Sequence, residues 1–277
     1  MKRIVTVQDI SCVGKCSLTV ALPIISAMGV ETAILPTAVL STHTMFSGFT
    51  FKDLADQIEP VCAHWKKEQF VFDAIYTGYL GSFEQIDLMK TMFDEFKTES
   101  NLLFVDPAMA DNGKLYPAFD EAFAKHMGTL CAKADIIVPN MTEAAFMTGK
   151  EYKEVYDEAY AKEMLMALAE LGAKICILTG VSFEEGKTGV MGYEKETGEF
   201  YYYSHSKLPT SYHGTGDVFS STCVGAMMNG MNWKEAVAVA ADYTAECIRV
   251  TYEDPNGINY GVNFEKVIPY LLKRIGK

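Results

Sequence analysis

The segment Gly214-Thr215-Gly216-Asp217 carries the clearest chemical signal in this sequence. It leads into a small, apolar, proline-free run that starts at Val218 and predicts a buried helix over residues 218–229. The glycines free the backbone to adopt positive φ and remove Cβ atoms that would hold a ligand away. Because the first N–H groups of a helix lack intrahelical partners and lie at the positive end of its dipole, we expect an anion to bind here.

Asp217 indicates a reaction rather than simple phosphate binding at this turn. A carboxylate repels a bound phosphate, but it can take the proton of an attacking hydroxyl while an anion is transferred. The alternative is structural, because an acidic residue in the first turn stabilises a helix by roughly 0.3–1 kcal/mol. The segment alone leaves both interpretations open.

Polar or small residues also stand where apolar strands end. These positions are residues 9–11, residues 41–44, residues 77–79, Asp106, Asn140 with Glu143, and Thr179 with Gly180. In an open parallel sheet, ligands bind beyond the carboxyl ends of the strands. Any one of these residues could be only a cap or a turn residue. Their succession favours a ligand site, although His43 fits a ligand contact and a hydrogen bond to its own loop equally well.

The elements that must position these residues follow an alternating pattern. Apolar runs predict strands over residues 2–8, 32–40, 73–77, 102–106, 135–140 and 174–180. Between them, helices are predicted over residues 16–28, 53–67, 83–97 and 155–171, with one more opening at Thr142-Glu143. Continuous apolar strands that alternate with helices are typical of a parallel sheet covered on both faces.

The pattern changes in the last part of the chain. Residues 188–193 and 199–204 predict an antiparallel hairpin near the edge of the sheet. After the glycine-rich turn only helices are predicted, over residues 218–229, 233–251 and 264–274. No linker, repeat or low-complexity stretch interrupts the sequence, so we expect one domain over residues 1–277.

Composition excludes several classes of protein. The net charge of −12 disfavours a nucleic-acid or anionic-membrane surface, although a local site can still bind an anion. The seven cysteines are odd in number and lack framework spacing, and no signal peptide precedes the first strand. No apolar run reaches the roughly 18 residues that a membrane span needs. We therefore expect a reduced, cytoplasmic protein.

Two carboxylates at strand ends suit a hard cation. Asp106 and Glu143 could hold Mg²⁺ directly or through waters, as that ion is usually held. The sequence contains no Gly-x-x-x-x-Gly-Lys-[Ser/Thr] motif, and its Gly-x-Gly arrives late rather than after the first strand. These two features disfavour a P-loop nucleotidase and a Rossmann dehydrogenase.

Taken together, the motifs resemble those of the ribokinase superfamily. The resemblance rests on Gly214-Thr215-Gly216-Asp217 before a small-residue helix and on Asn140-Met141-Thr142-Glu143 upstream. Residues 77–82, 105–109 and 41–44 are similar to its pyridoxal, pyridoxine and pyridoxamine kinase branch, and the match covers nearly the whole chain. It implies a three-layer ribokinase-like α/β fold with a mostly parallel central sheet flanked by helices. It also implies a homodimer, ATP with Mg²⁺ and, in many members, a monovalent cation such as K⁺.

The resemblance further implies a role for each matching residue. It makes Asp217 the base that deprotonates the hydroxymethyl group of a B6 vitamer, and it makes the amides of Gly214, Thr215 and Gly216 the anion hole. The implied nucleotide contacts are Asp106, Asn140, Glu143, Thr179, Gly180, Gly214 and Gly216, with Asp106 and Glu143 also binding the metal. The implied substrate contacts are Ser11, Thr44, Tyr79 and Asp217, with His43 beside them.

Departures from the branch leave the ring substrate open. The first loop is shorter than in the best-known pyridoxal kinases, Ala110 replaces a common glycine, and Met45-Phe46 replaces a more polar pair. The alternative enzyme is a hydroxymethylpyrimidine kinase of the same superfamily, which presents a similar CH₂OH group to the same base. A sugar or nucleoside kinase is disfavoured because no early Gly-Gly pair is present. A non-catalytic B6-binding protein is disfavoured by the intact Asp217 and anion hole.

Overall fold

Helices and strands alternate along the computed structural model, which describes residues 1–277. The strands are β1 (Arg3–Val13), β2 (Glu31–Thr42), β3 (Phe51–Asp53), β4 (Ala74–Thr77), β5 (Leu102–Val105), β6 (Ala110–Asp111), β7 (Lys114–Leu115), β8 (Ile136–Ile137), β9 (Ile175–Val181), β10 (Lys187–Glu194) and β11 (Glu199–Ser206). The helices are α1 (Leu18–Ala27), α2 (Ala55–Lys67), α3 (Phe83–Phe96), α4 (Glu121–Cys131), α5 (Met141–Thr148), α6 (Glu158–Leu171), α7 (Thr215–Met228), α8 (Trp233–Tyr252) and α9 (Phe264–Arg274). The predicted α/β class, with a mostly parallel sheet, flanking helices and an antiparallel hairpin, is confirmed.

The chain consists of two compact units. The first unit comprises Met1–Ala74 and His205–Lys277, and the second comprises Ile75–Ser204. The single domain expected over residues 1–277 stays a prediction. None of the nine helices has both the length and the apolar character required to cross a bilayer.

In the first unit, two long parallel strands carry the early loops. The β1–β2 ladder runs from the pair of Arg3 and Glu31 to the pair of Val13 and Thr42, and β3 adds to β2 in the antiparallel direction. The sequence did not predict β3, because its three residues are too few for a periodic pattern. Helix α7 packs against α1 and α8 and is buried along most of its length. Its small side chains allow neighbouring helices to approach on all sides.

In the second unit, the strand order is β11-β10-β9-β8-β5-β4. Strands β5, β8 and β9 are parallel, whereas β10 pairs antiparallel with β9. The predicted edge hairpin is therefore present as β10 and β11. Because β5, β8 and β9 share one direction, their carboxyl ends lie at the same edge, as expected for the polar residues that follow them.

Two elements of the second unit escaped sequence interpretation. Helix α4 begins at the N-cap Asp120, whose side chain accepts a hydrogen bond from the Phe123 amide. Strands β6 and β7 form a small hairpin around Asn112 and Gly113, which have φ of 50° and 74°. Both elements could have been predicted from the sequence. An aspartate before helical apolar spacing predicts a helix start, and Asn-Gly favours a type I′ hairpin.

Candidate active site

The glycine-rich turn of the first unit is held on one side and open on the other. Gly214 is the N-cap of α7 with φ of 78°, and a Cβ built on it would lie 1.9 Å from the Lys15 carbonyl oxygen. No other residue type fits this approach. A Cβ built on Gly216 would meet no heavy atom within 4 Å. The first intrahelical bond runs from the Val218 amide to the Gly214 carbonyl, so the preceding amides stand outside the intrahelical ladder.

Asp217 occupies the third position of α7, on the turn that carries the glycines. Its side chain is half-buried. Its charge acts on the Cys16 thiol: burial, together with the carboxylates of Asp217 and Asp9, raises the pKa of Cys16 to about 12. The structure thus brings the predicted base and the predicted anion hole together.

His43 is fixed by its own backbone surroundings. Its Nδ1 lies 3.2 Å from the Met45 amide nitrogen, which can only donate, so Nδ1 accepts. The proton of the neutral ring is therefore on Nε2, which donates to the Tyr260 carbonyl oxygen at 3.0 Å. Because both ring nitrogens are hydrogen-bonded, the buried ring can contact further groups only through its face.

An aromatic cluster, formed by His43, Phe46, His213 and Tyr260, surrounds this ring. The His213 ring centroid lies 4.7 Å from that of His43, and the Phe46 centroid lies 5.0 Å from it. Burial is the main cause that lowers the pKa of His213 to about 4, so His213 is neutral near pH 7. The sequence did not single out His213, although its position directly before Gly214 was an available signal.

The remaining predicted ring contacts of the first unit differ in exposure. Ser11 is buried and donates a hydrogen bond from its Oγ to Asp9 Oδ2 at 3.0 Å. Thr44 lies in an exposed turn after His43. Ser11 is therefore held by an internal carboxylate, and Thr44 is accessible to a ligand. Their binding roles stay predictions.

In the second unit, Asn140 and Glu143 form a closed capping box at the start of α5. Asn140 Oδ1 accepts from the Glu143 amide at 2.9 Å, and Glu143 Oε2 accepts from the Asn140 amide at 2.8 Å. Glu143 Oε1 also accepts from the Met109 amide at 3.1 Å, while Asn140 Nδ2 donates to the Ala110 carbonyl at 2.8 Å. The box therefore ties the segment after β5 to the N-terminus of α5.

Asp106 and Glu143 are buried acidic neighbours. Burial raises the pKa of Glu143 well above its usual range, and the Asp106 carboxylate raises it further. The Asp106 amide donates to the Thr77 carbonyl at 2.9 Å, which fixes its backbone beside the end of β4. The pair combines two hard oxygen donors with mutual repulsion, a combination that a cation would stabilise.

Thr179 and Gly180 lie beside the capping box. Thr179 forms a parallel bridge with Asn140, and its amide donates to the Pro139 carbonyl at 3.0 Å. Gly180 has φ of 69° and is exposed, and a Cβ built on it would meet no heavy atom within 4 Å. The structure thus gathers the predicted phosphate-binding residues of the second unit at neighbouring strand ends.

Tyr79 follows β4 at this same edge of the second unit and is half-buried. Its ring centroid lies 5.6 Å from that of Phe119, which stacks on Phe123 at 3.9 Å. Phe119 was missed because it precedes an unpredicted helix. The predicted site residues accordingly form two groups, one in each unit.

Comparisons with known proteins agree with these features. The family model described as phosphomethylpyrimidine kinase matches residues 22–263. A Bacteroides thetaiotaomicron protein, provisionally described as a phosphomethylpyrimidine kinase and crystallised with pyridoxal, is 39% identical with a TM-score of 0.92, covering 98% of this chain and 95% of that one. The pyridoxal kinase of Lactobacillus plantarum is 31% identical with a TM-score of 0.91, covering 99% and 97%. The hydroxymethylpyrimidine/phosphomethylpyrimidine kinase of Bacillus subtilis (strain 168) is 26% identical over 225 residues, which are 81% of this chain and 79% of that protein.

Proposed function

Because the chain belongs to the phosphomethylpyrimidine kinase family and is a phosphotransferase that acts on an alcohol group, we propose that its acceptor is a B6 vitamer. The enzyme would transfer the γ-phosphoryl group of ATP to the hydroxymethyl group of pyridoxal, pyridoxine or pyridoxamine, forming the 5′-phosphate. One observation carries the proposal. Within the first unit, the glycine turn with Asp217 directly follows His213, a member of an aromatic cluster suited to a flat ring.

The relatives support two acceptors to different degrees. The protein crystallised with pyridoxal and the Lactobacillus plantarum pyridoxal kinase are 39% and 31% identical to this chain. The family description and the Bacillus subtilis relative, at 26% identity, support hydroxymethylpyrimidine or its phosphate as the second candidate. Both heteroaromatic rings carry a hydroxymethyl group, so one base would serve either. The higher identities favour the B6 vitamer.

The residues of the first unit would perform the transfer. Asp217 would accept the proton of the hydroxymethyl group while its oxygen bonds to the γ-phosphorus. The bond from that phosphorus to the bridging oxygen breaks, and its electron pair leaves with ADP. The amides of residues 214–216 would donate hydrogen bonds to the transferring oxygens at the positive end of α7. The open space above Gly216 leaves room for this group.

Asp106 and Glu143 fit a magnesium ion. Their mutual repulsion in a buried site would be offset by a cation, and Mg²⁺ is usually held by one or two carboxylates together with waters and phosphate oxygens. Since both oxygens of Glu143 already accept backbone N–H groups, we propose that Glu143 acts on the ion through water. When bound, the ion supplies positive charge near the β- and γ-phosphates.

The other site residues would bind the two substrates. We assign Asn140, Thr179 and Gly180 to the binding of the nucleotide phosphates. The exposed position of Gly180 supports this assignment. The substrate ring would contact Ser11, His43, Thr44 and Tyr79. The use of K⁺ stays a prediction without an assigned residue.

We also propose that the protein is a cytoplasmic homodimer. Val13, Met45, Phe46 and Phe51 of the first unit are large apolar residues with exposed side chains, and a covered surface would bury them. The net charge of −12 supports small-molecule partners rather than nucleic acid. Sedimentation of the purified chain would test the dimer, and a monomer at micromolar concentration would exclude it.

A coupled assay of ADP formation tests the proposed function. Pyridoxal, pyridoxine, pyridoxamine and 4-amino-5-hydroxymethyl-2-methylpyrimidine are compared as acceptors, each with ATP and Mg²⁺ and without either. We expect kcat/KM to be highest for a B6 vitamer and to vanish without Mg²⁺. A higher value for the aminopyrimidine would establish the second candidate, and no acceptor-dependent ADP would exclude both.

A further inference from the structure

Asp9 stands at an irregularity of the long β1–β2 ladder. Gln8 pairs with Pro36 but Ile10 pairs with Val39, so the register shifts at Asp9. Such irregularities bend a strand, turn side chains away from their regular direction and are common next to active sites. Asp9 is only 5% exposed. A carboxylate placed this way must find hydrogen-bond donors inside the protein.

Two serine hydroxyls provide those donors. Ser17 Oγ donates to Asp9 Oδ1 at 2.5 Å, and Ser11 Oγ donates to Asp9 Oδ2 at 3.0 Å. Burial raises the pKa of Asp9, whereas both hydroxyls lower it. The carboxylate is thus a buried acceptor that joins β1 to the start of α1.

Ser17 adopts an unusual backbone conformation. It is the N-cap of α1 with φ of 51° and ψ of −134°, a region that residues with a side chain rarely adopt. A serine N-cap usually accepts a hydrogen bond from the helix, but the Ser17 side chain makes no such bond and donates to Asp9 instead. Strained residues of this kind persist where surrounding contacts hold them, often at functional sites.

The loop that ends at Ser17, residues 14–17, touches the principal groups of the first unit. A Cβ on Gly214 would strike the Lys15 carbonyl, and a Cβ on Gly14 would lie 2.4 Å from His43 Cδ2. The Asp217 carboxylate also acts electrostatically on the Cys16 thiol, whose pKa it raises. The 14–17 loop is therefore the support against which the glycine turn and His43 are packed.

We propose that Asp9 is a positioning residue that fixes the 14–17 loop through Ser17 and thereby sets the glycine turn and Asp217 for phosphoryl transfer. Asp9 itself touches no reacting atom. The inference rests on the proposed function of this site and adds a residue that its motifs do not include. Because transfer requires the base and the anion hole in near-attack geometry, a small displacement of the loop lowers the rate more than the affinity.

Three variants test the link. Asp9→Asn keeps the shape but replaces one acceptor oxygen by a donor, Ser17→Ala removes the hydroxyl, and the double variant removes both. We expect each single variant to lower kcat roughly 10–100-fold, with the KM values for ATP and vitamer little changed. The kcat of the double variant should be no lower than that of the more impaired single variant, because both changes break the same connection.

Hydrogen exchange provides a readout that does not depend on catalysis. In Asp9→Asn and Ser17→Ala, the Val218 amide, which bonds to the Gly214 carbonyl, should exchange roughly tenfold faster than in the wild type. Asp135→Asn is the matched control, because Asp135 is a half-buried carboxylate that also links separate elements, through bonds to Lys97, Lys174 and the Leu103 amide. That variant should lower the thermal midpoint without changing kcat or the exchange rate of the Val218 amide.

The outcomes separate this inference from the proposed function. Wild-type protein without vitamer-dependent ADP formation would exclude the function, and the exchange data would then decide the inference alone. A wild-type kcat in Asp9→Asn would overturn it. A raised vitamer KM with unchanged exchange would also overturn it, since Asp9 would then bind the substrate directly. If Asp9→Asn does not fold, unchanged exchange and kcat in Ser17→Ala would overturn it.

Discussion

Helices α5 and α7 begin in opposite ways, although each carries an acidic residue at its third position. At the start of α5, the Asn140 side chain and the Glu143 side chain close a capping box, and backbone amides occupy both carboxylate oxygens of Glu143. At the start of α7, the N-cap is Gly214, which has no side chain to cap the amides. A closed N-terminus fixes neighbouring chain, whereas an open one leaves donors for an anion.

This difference separates two uses of the same local pattern. Both carboxylate oxygens of Glu143 accept hydrogen bonds from backbone amides, so Glu143 can act on a metal or phosphate only through water or through Asp106. Asp217 is half-buried beside a turn whose outer side is empty. The acidic residue in the open cap is therefore suited to proton transfer, and the one in the closed cap to holding the strand-end loop.

The largest effect should come from Asp217→Asn, which tests the open cap directly. The amide keeps the shape but cannot take the hydroxyl proton, so kcat should fall roughly 10²–10⁴-fold, or about 3–5 kcal/mol of barrier. Affinities for ATP and vitamer should change little. If Asp217 only complements the helix dipole, stability falls by at most about 1 kcal/mol and turnover stays near normal. Measuring kcat beside the thermal midpoint distinguishes the two roles.

The sequence predicts features that depend on neighbouring residues, but not features that depend on contacts between separate segments. The α/β order followed from short periodic patterns, and the glycine turn followed from residue types alone. Asn140-x-x-Glu143 was read as a phosphate and metal motif, yet the same spacing also predicts a capping box. The sequence does not show which amides donate hydrogen bonds to Glu143, because the Met109 amide lies 34 residues away in the chain.

The tertiary contacts that support the site could not be predicted from the sequence. Lys15 and Gly214 are far apart in the chain, so no local pattern encodes their packing. Ser17 and Asp9 are only eight residues apart, but their bond depends on a register shift and a positive φ that no local pattern encodes either. The neutral state of His213 depends on its burial against His43, which is likewise a tertiary property. These contacts position the site rather than define its chemistry, so the motifs could identify the chemistry without them.

The next effect concerns acid stability at the open cap, where His213 precedes Gly214. Its pKa of about 4 lies below the unfolded value of about 6.5, so between these values the unfolded chain binds more protons. Stability from His213 is therefore full above about pH 7 and is lost as pH falls toward 4. From pH 7 to pH 5, the wild type should lose about 2 kcal/mol more unfolding free energy than His213→Asn. Equal losses in urea titrations at the two pH values would show that His213 is not buried as a neutral ring.

An effect of similar size is expected for Glu143→Gln, which opens the closed cap. One side-chain oxygen becomes an NH₂ group that faces a backbone N–H donor, either Met109 or Asn140, so stability should fall by about 1–3 kcal/mol. The Mg²⁺ concentration for half-maximal rate should rise, with vitamer binding nearly unchanged. Glu235→Gln is the control, because Glu235 closes the equivalent box of α8. A normal Mg²⁺ titration in Glu143→Gln would restrict Glu143 to a structural role.

The smallest effect on the fold, and the most selective test of the open cap, is Gly216→Ala. A methyl group at this position meets no protein atom within 4 Å, and a helical Gly→Ala change should stabilise the protein by up to about 1 kcal/mol. If phosphoryl oxygens occupy the open space during transfer, the same methyl group should lower kcat/KM for ATP roughly tenfold, or about 1.4 kcal/mol. Gly128→Ala in α4 is the matched control, since its Cβ would make only an ordinary contact with Leu171, at 3.8 Å. It should stabilise the protein similarly and leave the kinetics unchanged. If both variants retain wild-type kinetics, the space above Gly216 is not where the phosphoryl group passes, and the contrast between the two helix starts would be structural only.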